Sequence, residues 1–506
     1  MDNLLKNQII RASRVVLDCQ EECAISGEYT LPDYCPDIAV ILKCLVSPRV
    51  QNRQWSGEQL LLDGTADVRV LYLDEERRCV REVEFSQPLS CTLHTDGRVD
   101  TALVQIELTP KYVNCRAVSP RRLDVRGAVT VDAWAECPSE MTVMMPREEE
   151  GLYTRCEEVA ITAPVCTAER IMAVSEALDF PENCPPAEML LGGECRAVVR
   201  ECKLLPGKAI VKGEVYIHQL YADETLSATH CLDYTVPYSQ ILDVEGACEG
   251  QLHTAHVLLL SDTQRCTAGQ DGTNSVLEVT VKLLVQLQVY ETMSVPLLLD
   301  AYHSRCPVTL DTCELPLYAR MDSRWEMTNL PMQMDLPAGQ LTELLDVWIQ
   351  PQTLLGQPEN GMARLTGRML VCVLARDTDG QIAYYERPEE YQLEYPCQGN
   401  ELRAKATVTD LRYRVAEGKL ELQVYLHIAL QSLQCWNKKC LCRVDLHSDA
   451  PYPARRVTAM LYYADGGESV WEIGRACHTS PTLICEENDL PADTIPKPCT
   501  LVVPLL

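Results

Sequence analysis

The chain has 506 residues, with 73 acidic against 45 basic side chains and a formal net charge of −28. That balance argues against nucleic-acid binding, which needs a basic footprint, and against loose adsorption to anionic lipid. The hydrophobic share of 46% is that of globular protein, and a chain this long holds about three or four domains.

The N-terminal stretch MDNLLKNQIIRASRVVLD has no unbroken apolar core and no small-residue cleavage site, so no signal peptide is expected. No apolar run reaches the ~18 residues of a membrane span. The expectation is a protein made and kept in a cytosol. There its 26 cysteines, set against two phenylalanines, should stay reduced and act as small core hydrophobes. The densest cluster, Cys435, Cys440 and Cys442, lacks the paired C-x-x-C of a zinc site, so no metal or other cofactor is expected. Oxidative cross-linking in a dormant assembly stays open.

Along the chain, one pattern recurs at roughly 150 residues, too long for a solenoid. Its anchor is a glycine followed by a strand ending in aspartate: Gly64 to Asp74, Gly213 to Asp223 and Gly367 to Asp377. Apolar residues alternate along each, as Ala66, Val68, Val70, then Val215, Ile217, then Met369, Val371, Val373, which is the period of a half-buried strand. Upstream lie Leu31-Pro32, Phe180-Pro181 and Leu336-Pro337. Downstream lie Phe85-Ser86, Val236-Pro237-Tyr238-Ser239 and a weaker Glu390-Tyr391. Long strand patterns follow at Leu123 to Val131, Leu277 to Val289 and Leu420 to Leu430. Turn clusters such as Asp271-Gly272 and Asp379-Gly380 separate the strands and suggest a sandwich or barrel. Helices are predicted at Asp37 to Leu45, behind Pro36, and at Gly339 to Val347. Asp37 should support the first of these through the helix dipole. Asp33 and Asp37 also have a docking-surface reading. Glu148-Glu149-Glu150 reads as a solvated linker between the first and second copies.

The run LPDYCPDIAVILKCLV at 31–46, the glycine-led strand and the aromatic-serine motif together resemble the SPOCS domain. The first copy carries the resemblance best; the third lacks the Pro-Asp-Ile run and the serine.

No G-x-S-x-G elbow, H-E-x-x-H pair or phosphate loop is present, and no enzyme activity is expected. His253 and His256 have no ligand partner at metal spacing and read as strand or loop histidines.

The last stretch, Tyr462 to Pro504, predicts strand, helix, helix, strand. Ser469 with Glu472 forms a capping box, Val470, Ile473 and Cys477 share a helical face, and Ser480-Pro481 opens a second helix. Ala459 to Tyr463 and Thr500 to Val503 read as short strands. The positions Gly467, Glu468, Ser469, Val470, Trp471, Ile473, Thr479, Ile484, Asn488, Leu490 and Ile495, with the final Leu501, Val503 and Pro504, resemble a LysM module. Lys497-Pro498 replaces the family's proline-glycine turn, which alters one wall of the glycan groove.

The layout is similar to that of SipL-like spore coat proteins. The expected architecture is mainly β. It has three tandem sandwich- or barrel-like SPOCS repeats at 1–150, 151–300 and a divergent 301–450, then a βααβ LysM domain at 456–506. The resemblance implies a non-enzymatic scaffold in the mother-cell cytosol at the forespore surface. Its LysM would dock the coat basement-layer ATPase, stage IV sporulation protein A, and the repeats would recruit other coat proteins. The alternative is a peptidoglycan-binding envelope protein. Either way the candidate binding residues are Gly467, Glu468, Ser469, Trp471, Asn488 and Leu490. Trp471 stands out because aromatic anchors dominate binding hot spots.

Overall fold

The computed structural model describes residues 2–77, 79–226, 228–270, 272–335, 341–416, 418–453, 457–490 and 493–505. The expected landmarks Leu336-Pro337, Asp271, Gly339 and part of the 456–506 segment lie outside them.

Alternating apolar residues make almost the whole chain strand. The first stretch runs β1 (Asp2–Asn3), β2 (Leu5–Thr30), β3 (Val40–Ser56), β4 (Gln59–Leu73), β5 (Val80–His94), β6 (Leu103–Ser119) and β7 (Arg122–Pro146). One sheet has the order β3-β4-β5 and the other β2-β7-β6, both antiparallel. Val68 and Val70 of the first sheet pack on Val125 and Val129 of the second, which makes a sandwich with a core between its inner faces.

The same order then occurs twice more. β8 (Leu152–Asp179), β9 (Ala187–Leu205), β10 (Lys208–Asp223), β11 (Thr229–Asp243), β12 (Leu252–Ala268) and β13 (Asn274–His303) form sheets β9-β10-β11 and β8-β13-β12. β14 (Val308–Asp335), β15 (Leu341–Glu359), β16 (Met362–Asp377), β17 (Ile382–Pro396), β18 (Glu401–Ala416) and β19 (Lys419–Leu446) form β15-β16-β17 and β14-β19-β18. β13 runs through the expected division at 300 to His303, and the short β1 pairs with β19 of the third sandwich.

The anchoring glycines have a steric cause. A Cβ on Gly64 would lie 2.0 Å from the Arg49 carbonyl oxygen, and one on Gly213 would lie 2.1 Å from that of Val198. A Cβ on Gly367 would meet the Tyr391 ring at 2.1 Å. Backbone and aromatic rings approach these strands too closely for any side chain. The aromatic landmark is less regular than the sequence suggests. Tyr238 and Tyr391 lie directly opposite Gly213 and Gly367, whereas Leu89 faces Gly64 and Phe85 faces Val68. Phe85 instead stacks on Tyr29 at 4.4 Å.

Two helix predictions are corrected. Residues 37–39 are loop and β3 begins at Val40, while the chain from Leu341 is β15. In both places cross-strand pairing with β4 or β16 overrides the local helix signal. Asp37 does not open a helix; it accepts from Arg121 at 2.7 Å, and Arg121 also donates to the Pro32 and Cys35 carbonyls. Asp33 is an exposed turn residue.

The three sandwiches are packed together rather than strung out. Leu71, Leu220 and Leu374, at the same level of β4, β10 and β16, share one buried cluster with Leu191, Leu345 and Trp348. Bulges at matching levels of β3, β9 and β15 place Leu42, Leu191 and Leu345 there. A second junction holds a fully buried Arg320–Glu136 ion pair at 3.2 Å. Arg320 also lies over the Tyr290 and Trp134 rings and donates to Gln431.

Candidate functional site: the C-terminal module and its seat

After β19 the chain forms β20 (Ala459–Ala464), α1 (Val470–Cys477), α2 (Pro481–Glu487) and β21 (Cys499–Pro504), with β20 antiparallel to β21. Ser469 caps α1 by accepting from the Trp471 amide at 3.2 Å. Ser480 caps α2 by accepting from Leu483, with Pro481 in the first turn. Val470, Ile473 and Cys477 face inward with Ile484, Ile495, Leu501 and Val503, so the helices cover one face of the two-stranded sheet.

The six candidate residues separate into three groups. Asn488 and Leu490 hold the module together: the Asn488 amide donates to Ile484 and Val502 carbonyls and accepts from the Val502 amide at 2.7 Å. Leu490 is half-buried against the core. Gly467, Glu468 and Ser469 form the loop before α1, and this loop is zipped to the segment before β21. The Gly467 N–H donates to Ile495 O, the Ile495 N–H donates to Glu468 O at 2.8 Å, and Ser469 bridges Thr494. A Cβ on Gly466 would touch Pro498 at 3.3 Å, so the Lys497-Pro498 departure closes on the same loop. Gly467 itself needs its φ of 96°.

Trp471 stands apart. It is only 7% exposed. Its indole N–H donates to the Asp300 carboxylate at 2.8 Å, and its ring meets the Tyr302 edge at 4.9 Å, both at the end of β13. The indole is thus engaged by the second sandwich. Around it, Arg475 pairs with Asp300 at 2.9 Å and the Tyr302 hydroxyl donates to Thr479 O at 2.7 Å. Tyr452 stacks on His478 at 3.8 Å. A Cβ on Gly474 would lie 2.7 Å from that hydroxyl, so a glycine in α1 lets the seat form. Burial pushes the Tyr302 hydroxyl upward. The module's open surface is the outer side of β20, where Leu461 is 60% and Tyr463 78% exposed.

A cleft of about 390 Å³ opens where the sandwiches meet, lined among others by Arg49, Arg69, His218, Asp346, Trp348 and Glu386. His218 bridges Asp233 at 2.8 Å and Asp346 at 3.1 Å. Burial alone would lower its pKa, but the two carboxylates outweigh that and raise it well above the ordinary histidine value. Arg49 crosses to Asp262 at 2.9 Å. These residues come from three distant stretches, and no local pattern marks them.

His253 and His256 lie on β12, and burial pushes His256 down to about 3. Cys435, Cys440 and Cys442 all lie on β19. Among the described residues there is no group of three or more side chains placed to hold a metal, and no helix long and apolar enough to cross a membrane.

These features define a mainly β protein of paired three-stranded sheets with a βααβ module seated on the second sandwich. Residues 186–259 match the family model described as SipL, SPOCS domain, so the chain is SipL-like through that segment, and the match relates it to sporulation proteins. The matched segment spans β9, β10, β11 and the start of β12. No curated protein and no solved structure was found to match the chain.

Proposed function

We propose that this chain is a non-enzymatic scaffold of the endospore coat. In this reading all three sandwiches are SPOCS repeats and the βααβ module is a LysM that docks the coat basement-layer ATPase, stage IV sporulation protein A. The protein acts in the mother-cell cytosol at the forespore surface, and the sandwiches recruit further coat proteins. The observation that carries the reading is the SipL, SPOCS match at 186–259, supported by the same strand order in the flanking stretches. Several weak surfaces on one rigid body raise avidity when their geometry lets them engage together. With Trp471 held by Asp300 and Tyr302, the docking face is the outer side of β20, with Leu461 and Tyr463. The paired loops around Gly467 and Ile495 favour a protein partner over a glycan, because their facing backbone groups already bond to each other.

The test is binding of the full chain to the purified ATPase and to purified peptidoglycan, side by side, with wild type and Tyr463→Ala. Binding to the ATPase that Tyr463→Ala weakens at least tenfold supports the reading. Binding to peptidoglycan alone overturns it.

A further inference from the structure

The first sandwich carries two cysteine pairs, one at each edge where its two sheets meet. At one edge β2 approaches β5, and Cys23 and Cys91 pack into the same core cluster. At the other β3 approaches β6, and Cys44 and Cys115 pack into another core cluster. Each pair spans from one sheet to the other, so neither repeats a link that strand pairing already supplies. At the matching levels of the second sandwich stand Met172 and Gln240 at one edge, and Gly193 and Gln264 at the other. The paired thiols are therefore a property of the first sandwich and not of the fold.

We propose that Cys23–Cys91 and Cys44–Cys115 are latent disulfide sites that lock the two sheets of the first sandwich together when the chain meets a small-molecule disulfide. The chemistry balances as two exchanges. The Cys115 thiolate attacks one sulfur of oxidised glutathione, forming a mixed disulfide and releasing one glutathione thiolate. Cys44, deprotonated, then attacks the Cys115 sulfur, forms the Cys44–Cys115 bond and releases the second glutathione thiolate. The two protons lost from the cysteines end on the two glutathiones; two protein thiols are oxidised and one glutathione disulfide is reduced. Cys23 and Cys91 follow the same course.

The order of attack follows from the local chemistry. Interaction with the Cys44 thiol holds Cys115 below the ordinary thiol range and pushes Cys44 above it. Cys115 is also the less buried partner, so it is the entering thiolate. A third close pair, Cys313 and Cys440, has its sulfurs 3.8 Å apart. It lies between β14 and β19, strands already paired over their whole length, so its closure ties nothing new.

The experiment uses the full-length chain carrying Cys313→Ser, which removes the exposed member of that third pair. The protein is incubated with oxidised glutathione, the remaining thiols are blocked, and the unreduced digest is mapped by mass spectrometry. The expected result is two linked peptide pairs, Cys23 with Cys91 and Cys44 with Cys115, each two hydrogens lighter than the free pair. The thermal midpoint should rise by several degrees, reversibly with dithiothreitol. Adding Cys115→Ser should abolish the Cys44 link and leave the Cys23 link. Adding Cys91→Ser as well should abolish both links and the rise in midpoint. Glutathione adducts without these links, or Cys91 joined to Cys19 instead, would overturn the proposal.

Discussion

The three-sandwich body and the C-terminal module are attached to their surroundings in different ways. Inside the body the sandwiches share buried aliphatic side chains, Leu71, Leu220 and Leu374 among them, and a sealed Arg320–Glu136 pair. The module sits on a small polar and aromatic seat made by Asp300 and Tyr302. The difference teaches that position in sequence is a poor guide to independence. Three stretches that read as separate domains are one packed object, and the segment with the clearest domain signature is held by few contacts.

The largest effect expected from breaking the body's side of this comparison comes from Arg320→Met. It leaves Glu136 buried and uncompensated and should cost ~3–5 kcal/mol, read as a lower urea midpoint for the whole body. Leu220→Ala opens the shared cluster and should cost about 2–5 kcal/mol. If the sandwiches are coupled as described, a single unfolding transition moves; a separate early transition for one sandwich would contradict the coupling.

His218 sharpens the comparison through pH. Because its folded pKa is raised, the Asp233–His218–Asp346 bridge contributes fully below the unfolded histidine value near 6.5, and that contribution is lost as pH rises through the folded value. His218→Gln should therefore destabilise the body more at pH 6 than at pH 9. Equal loss at both, by denaturant titration, would show that the bridge carries no proton-linked stability. His256 works in the opposite sense. Held down to about 3 by burial, it withdraws stability as pH falls from 6.5 towards 3.

The smallest global effect belongs to the module. Trp471→Ala removes one hydrogen bond and one edge contact, about 1–2 kcal/mol of seating. The body's midpoint should stay in place while amide hydrogens around Asp300 and Tyr302 exchange faster. A fall in the body's midpoint as large as that of Leu220→Ala would mean that the module is part of the shared core.

Much of the fold was legible in the sequence because the signals are local and steric. The glycine-led strands, the long strands beginning at Leu123, Leu277 and Leu420, and both helix caps at Ser469 and Ser480 follow from alternation, close approach and capping. The helices predicted at 37–45 and 339–347 failed where proline and periodicity pointed one way and cross-strand partners another. Of the candidate site, the cap at Ser469 was readable, but the seat of Trp471 was not. That seat depends on Asp300, far away in sequence, and nothing near the tryptophan announces that carboxylate. The cleft around His218 was hidden for the same reason, since its walls come from three different sandwiches.

The short strand β1 has a consequence for how the chain reaches its native state. Asp2 and Asn3 precede the first sandwich in the chain, yet their partners are Leu446 and Asp445 at the far end of the third sandwich. That joint cannot close until the ribosome has delivered nearly the entire body. The first strand must wait unpaired, and contacts this distant in sequence are slow to form. Completion of the body is thus a late event, and an extension fused ahead of Asp2 would sit at the seam between β1 and β19.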